Sequence, residues 1–147
     1  MGSLGRFAVV AVSALAFSAC AVDEGASPGI RVDDSRAPNA TVQYDRVVIL
    51  DDSLQNRRGG KIAIESQGAR RSPTGTVEGF AVIRNRTDFP LQIEARIQFF
   101  DADKVPVEGP TAWQRVYLEA NSVNSYREAS TRVHDVAHFL IEIREGR

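Results

Sequence analysis

Leu91-Gln92-Ile93-Glu94-Ala95-Arg96-Ile97-Gln98-Phe99-Phe100 is the stretch that decides the fold. Leu91, Ile93, Ala95, Ile97 and Phe99 alternate with Gln92, Glu94, Arg96 and Gln98. Successive side chains of a strand point to opposite faces, so this period of two predicts a strand with one face packed inward and the other in water. Phe100 breaks the alternation, because it falls on the polar face. An exposed phenylalanine there would mark a contact surface. Asp101-Ala102-Asp103-Lys104 then turns the chain.

The same reading extends in both directions. Arg46-Val47-Val48-Ile49-Leu50 is apolar and β-branched, the signature of a buried strand, and Asp51-Asp52-Ser53 ends it. Residues 61–71, with Ile62 and Ile64 on one face, and residues 76–85 flank Ser72-Pro73-Thr74-Gly75 and predict a hairpin. Pro106 and Pro110 confine residues 105–109 to an edge or loop, since proline cannot donate to a ladder. Residues 113–118 and 125–129 read as further strands. The last carries Phe139, Ile141 and Ile143 between His138, Leu140, Glu142 and Arg144. About seven strands at near-regular spacing, with few helical periods, predict an all-β sandwich over residues 41–147.

The segment before it reads differently. Arg6 precedes an apolar run, Phe7-Ala8-Val9-Val10-Ala11-Val12-Ser13-Ala14-Leu15-Ala16-Phe17. A bilayer span needs roughly 20 apolar residues, so this run has the length of a signal-peptide core rather than of a transmembrane helix. The stretch Leu15-Ala16-Phe17-Ser18-Ala19-Cys20 resembles a lipobox, and Cys20 is the only cysteine of the chain. The expectation is a lipoprotein signal over residues 1–19, diacylglyceryl attachment at Cys20, and a flexible linker over residues 20–40, which holds Ser27-Pro28-Gly29 and Ala37-Pro38-Asn39. Several acyl chains give stable membrane anchoring. Ala21 follows the cysteine where an Asp retains many Gram-negative lipoproteins in the inner membrane, so the expected location is the periplasmic face of the outer membrane.

Composition narrows the function. With 147 residues, 18 basic and 19 acidic, the net charge is -1, which excludes an electrostatic nucleic-acid binder. One cysteine excludes an internal disulfide and a cysteine-cluster zinc site.

Two stretches carry a resemblance. Val82-Ile83-Arg84-Asn85-Arg86-Thr87-Asp88-Phe89-Pro90 runs into the alternating strand and on to Phe100-Asp101-Ala102-Asp103, and Trp113-Gln114-Arg115-Val116-Tyr117-Leu118 is followed by Ala120-Asn121-Ser122. With Val47-Val48-Ile49-Leu50-Asp51-Asp52, they resemble the YcfL-like family of small bacterial periplasmic lipoproteins over residues 44–144. The resemblance implies an immunoglobulin-like, antiparallel sandwich and a cell-envelope role near peptidoglycan assembly. It brings no catalytic residues. Lys104 stands where the family often has a glycine closing the Asp-Ala-Asp turn.

Candidate chemistry is sparse. His134 and His138 would share a face on a helix, but residues 133–137 read as a turn, and two ligands do not make a zinc site. Asp101-Ala102-Asp103 starts like a calcium loop. The required glycine and late glutamate are out of register, Glu108 being too early, so it reads as a β-turn. Arg57-Arg58-Gly59-Gly60-Lys61 lacks the full phosphate-loop pattern and reads as a solvated loop. Arg57 and Arg58, with Arg70 and Arg71 nearby in sequence, are candidates for an anionic-partner patch. Asp51 and Asp52 are strand-end turn residues, and no Gly-x-Ser-x-Gly occurs. Trp113 and most phenylalanines are core candidates. No metal or cofactor is expected. The chain reads as a non-enzymatic, membrane-anchored protein-interaction or assembly module, whose contacts are a sheet edge, Phe100, Arg57 and Arg58. Its partners are the membrane, through Cys20, and another envelope protein. The alternative is a glycan- or lipid-binding sandwich.

Overall fold

The computed structural model describes residues 29–55 and 60–146. The signal segment, Cys20, the linker up to residue 28, Arg57 and Arg58 lie outside the described residues. Among the described residues eight strands form two sheets: β1 (Ile30–Arg31), β2 (Arg46–Ile49), β3 (Ile62–Arg71), β4 (Thr76–Asn85), β5 (Leu91–Phe100), β6 (Gln114–Leu118), β7 (Val123–Val133) and β8 (His138–Glu145), with a short helix α1 (Val32–Arg36) after β1. One sheet has the order β1-β2-β8-β5-β6 and the other β3-β4-β7. The expected strands are all present. β7 extends beyond residues 125–129 at both ends, and part of the stretch read as linker supplies β1 and α1.

Alternation puts the core where the sequence placed it. Ile93, Ala95, Ile97 and Phe99 of β5 are fully buried, and they meet Ile141 and Ile143 of β8, Leu118 of β6, and Ala81 and Ile83 of β4 in one apolar cluster. Glycine is required at one point of closest approach. A Cβ on Gly79 of β4 would lie 2.2 Å from Ile97 Cδ1, so this position admits no side chain while Ile97 keeps its place.

The topology is of the immunoglobulin kind. β3-β4-β7 stand where A-B-E stand in such a domain, and β6-β5-β8 where C′-C-F stand. The place beside the last strand is taken by β2, and there the structure departs from an all-antiparallel expectation. β2 pairs with β8 in parallel, Val47 opposite Ile141, and β1 pairs with β2 in parallel. Parallel neighbours need a long connection, and here almost the whole domain lies between β2 and β8. Two aspartates clamp the pair. Asp45, at φ 59°, donates its N–H to the Phe139 carbonyl at 2.7 Å, and its carboxylate accepts from Phe139 N at 3.2 Å. At the other end the Asp51 carboxylate accepts from Glu145 N at 2.7 Å. Strand-end aspartates are therefore turn residues with a specific task.

One buried side chain ties the two sheet-crossing turns together. Asn85, fully buried at the end of β4, has its amide nitrogen 2.8 Å from the Phe89 carbonyl, 2.9 Å from that of Glu119 and 3.3 Å from that of Leu118. Its amide oxygen accepts from Thr87 N at 2.9 Å. The Asn-x-Thr element of the sequence thus joins the β4–β5 turn to the β6–β7 turn. Asn85→Ala leaves buried carbonyls and an N–H without their partner, so it should lower stability by about 2–4 kcal/mol. Asn85→Asp should cost a similar amount, since a carboxylate cannot donate to three carbonyls. Urea unfolding midpoints of the three proteins check this.

Candidate functional site: the outer face of the five-stranded sheet

Side-chain parity separates the two faces of this sheet. Val47 and Ile49 of β2, the odd-numbered residues of β8 from Phe139 to Ile143, and Val116 and Leu118 of β6 belong to the core. Their sequence neighbours face outward. The outer face accordingly carries Arg46 on β2, Glu142 and Arg144 on β8, Glu94 and Arg96 on β5, and Arg115 and Tyr117 on β6.

These charges form a lattice. Arg96 Nε lies 2.6 Å from Glu142 Oε2, Arg144 Nη2 lies 2.7 Å from Glu94 Oε2, and Arg115 Nε lies 3.6 Å from Glu94 Oε1. Glu94, only 7% exposed, is the hub. The hydrogen bond from Arg144 holds its carboxyl below the usual glutamate range against the opposing effect of burial, with Arg115 adding to it. Trp113 packs on the lattice. The Arg144 guanidinium carbon is 4.1 Å from its ring centroid and that of Arg96 is 4.6 Å away, within the range of cation–π attraction. Tyr117, on the neighbouring strand position, is 53% exposed.

At one end of the same face sits an aromatic corner. Phe100 is on the outer side of β5, as its parity indicates, but it is 4% exposed, because the Tyr44 ring packs edge-on at a centroid distance of 5.1 Å. Phe100 is therefore not the exposed contact residue the sequence suggested. Its cover comes from residue 44, distant in sequence and invisible to the strand pattern. Tyr44 Oη donates to the Lys104 carbonyl at 3.3 Å, the Lys104 ammonium lies 5.2 Å from the Tyr44 ring centroid, and His138 Nδ1 is 2.7 Å from Asp45 Oδ2.

The other singled-out residues take separate places. Arg70 pairs with Glu78 at 2.5 Å, whereas Arg71 donates to the carbonyls of Gly75 and Val136 at 2.6 and 2.8 Å. The two do not build a joint patch: Arg71 staples the β3–β4 turn to the segment before β8. His138 belongs to β8, while His134 sits at φ 79° in the turn that precedes it. Among the described residues no cluster of three or more His, Cys, Asp or Glu is placed to hold a metal. Asp101 Oδ1 accepts from the N–H groups of Asp103 and Val105, both at 2.9 Å, and Lys104 has φ 67°. This is the β-turn expected there, and the left-handed Lys104 explains why glycine suits that position.

Trp113, like Phe100, departs from the sequence expectation. It was expected in the core and lies on the outer face. The signal was present: with Val116 and Leu118 inward, period two puts Trp113, Arg115 and Tyr117 together on the other side. Chemically the face offers planar guanidiniums and aromatic rings already held in place by one another. Beside it runs a shallow groove of about 350 Å³ between β6 and β7, lined by Arg115, Tyr117, Asn124 and Tyr126.

No protein-family model matches the chain, and no curated protein matches it. The fold has a counterpart among solved structures. The chain is similar to a DUF1425 family member from Shewanella sp. pv-4, with a TM-score of 0.52 and 11% identity over 58% of this chain and 79% of that one. It also aligns with cj0090 of Campylobacter jejuni, with a TM-score of 0.48 and 18% identity over 68% of this chain and 97% of that one. At 11% identity the likeness to the Shewanella structure is one of fold.

The lattice has a pH signature. Glu94 and Glu145 both have folded-state carboxyls below the usual range, the latter through the Ser53 hydroxyl and Lys61. A depressed carboxyl pKa contributes stability above the unfolded value and loses it as pH falls through the folded one. Urea midpoints should therefore drop on acidification below the ordinary glutamate range, and Glu94→Gln should show a shallower drop together with a lower midpoint at neutral pH.

Proposed function

We propose that this protein is a non-enzymatic, lipid-anchored module of the bacterial cell envelope, of the YcfL-like kind, held by Cys20 at the periplasmic face of the outer membrane and serving as a docking platform for another envelope protein. The observation that carries the reading is the outer face of the five-stranded sheet, where Trp113 rests within 5 Å of two arginines that are themselves fixed by Glu94 and Glu142. Tryptophan, tyrosine and arginine are the residues that dominate binding energy at protein interfaces. Side chains held before binding lose little further freedom on association. The sequence supports the anchored half of the reading, since the single cysteine closes a signal-like segment. The likeness in fold to the DUF1425 family member from Shewanella is compatible with it.

The alternative, a glycan- or lipid-binding module, draws on the open concavity of about 690 Å³ lined by residues 40–44, Arg46 and Lys104. It is wide and shallow rather than enclosed, and small-molecule sites bury most of their ligand. Anchoring is tested by labelling cells with radioactive palmitate and fractionating them. The parent chain should incorporate label and sediment with outer membranes, and Cys20→Ala should be unlabelled and released. Equal behaviour of the two would sink the anchored reading.

A further inference from the structure

The partner of this platform has a definable chemistry. The strands of the five-stranded sheet expose four arginines on the outer face, Arg46, Arg96, Arg115 and Arg144, against two glutamates, Glu94 and Glu142. Both glutamates are engaged on the face itself, Glu142 by Arg96 at 2.6 Å and Glu94 by Arg144 at 2.7 Å and Arg115 at 3.6 Å. The face therefore keeps a positive excess in a chain whose net charge is -1. The compensating acids lie largely in turns at the two ends of the sandwich, among them Asp51, Asp88, Asp101 and Asp103. Arg46, Arg115 and Tyr117 are exposed, at 66% for the Arg115 side chain and 53% for the tyrosine.

Resting on the docking-platform reading, we propose that the outer face of β2-β8-β5-β6 binds an acidic protein surface, with Trp113 and Tyr117 as its aromatic anchors and Arg46 and Arg115 as its charge-reading residues. Such a partner is attracted to the face by its positive excess, which steers encounter and orientation. A second copy of the chain does not fit, because stacking two such faces brings like charges together. The opposite sheet lacks the arrangement. On its outer side Arg70 pairs with Glu78 at 2.5 Å and Arg84 with Glu65 at 2.6 Å, and no tryptophan lies there.

The test is photo-crosslinking in living cells with the full-length chain. A photo-reactive phenylalanine analogue is placed at position 117, on the proposed face, or at position 80, on the outer side of the central strand β4 of the three-stranded sheet, and the adducts are mapped by mass spectrometry. Expected is a protein adduct from position 117 whose crosslinked peptide is rich in Asp and Glu. Its yield should fall roughly tenfold in the Arg46→Glu, Arg115→Glu background, because charge reversal at an electrostatically steered contact slows encounter. Thermal melting confirms that the background folds. Arg115→Gln alone, with a smaller loss expected, serves if it does not. An adduct at 117 that is indifferent to these charges, or that consists of lipid or glycan, overturns the proposal. Adducts from position 80 alone overturn it while leaving the docking-platform reading intact. Adducts from neither position overturn both.

Discussion

The side-chain amide of Asn85 is the constraint on which the arrangement of the sheets rests. A sandwich needs its chain to pass between layers, and each passage leaves main-chain groups that no ladder can satisfy. Two passages, after β4 and after β6, lie at the same end, and one fully buried asparagine serves both, reaching the carbonyls of Phe89, Leu118 and Glu119. Further main-chain bonds link the same turns, from Asn85 N to the Ser122 carbonyl at 2.8 Å and from Asn121 N to that of Thr87 at 3.0 Å. With these turns set, β5 and β6 lie in one sheet and β4 and β7 in the other, and the outer face of β5 and β6 becomes a single surface.

The open sides of the sandwich are closed by related chemistry. Between β2 and β3, Gln67 accepts from Val47 N at 3.0 Å and donates to the Asp45 carbonyl at 3.2 Å. Between β6 and β7, Asn124 donates to the Tyr117 carbonyl at 2.9 Å, and the Gln114 amide bonds the Glu128 carboxylate. A bare sheet edge is a template for another strand. Side-chain amides that occupy edge groups make strand addition on these sides less favourable, which turns attention from the sheet edges to the broad face.

That face shows why counting ion pairs is a poor guide to their purpose. Exposed pairs contribute about 0–1 kcal/mol each and are screened by salt, while the buried Glu94 gains from its arginines against the cost of its own desolvation, so a count of contacts does not give the Coulomb energy of the lattice. Its other effect is geometric. Each glutamate fixes an arginine, and two of those arginines fix Trp113. Long side chains that would otherwise sample many rotamers become a rigid surface, and the ordering cost falls on folding rather than on binding.

Alternation in residues 91–100 was enough to place the core of β5 and its polar face, and turn residues placed the β3–β4 hairpin, because both are properties of neighbouring residues along one strand. The period of two also held the position of Trp113, although aromatic size argued for the core. Other features were beyond any local pattern. Phe100 is buried by Tyr44, β2 runs parallel to β8, and Asn85 reaches carbonyls more than thirty residues away. Each depends on which strands become neighbours once the chain changes sheets. Strand pattern determines which way a side chain faces. Only the packing of distant segments determines what it meets there, and so whether a polar face becomes a solvated surface or an organised site.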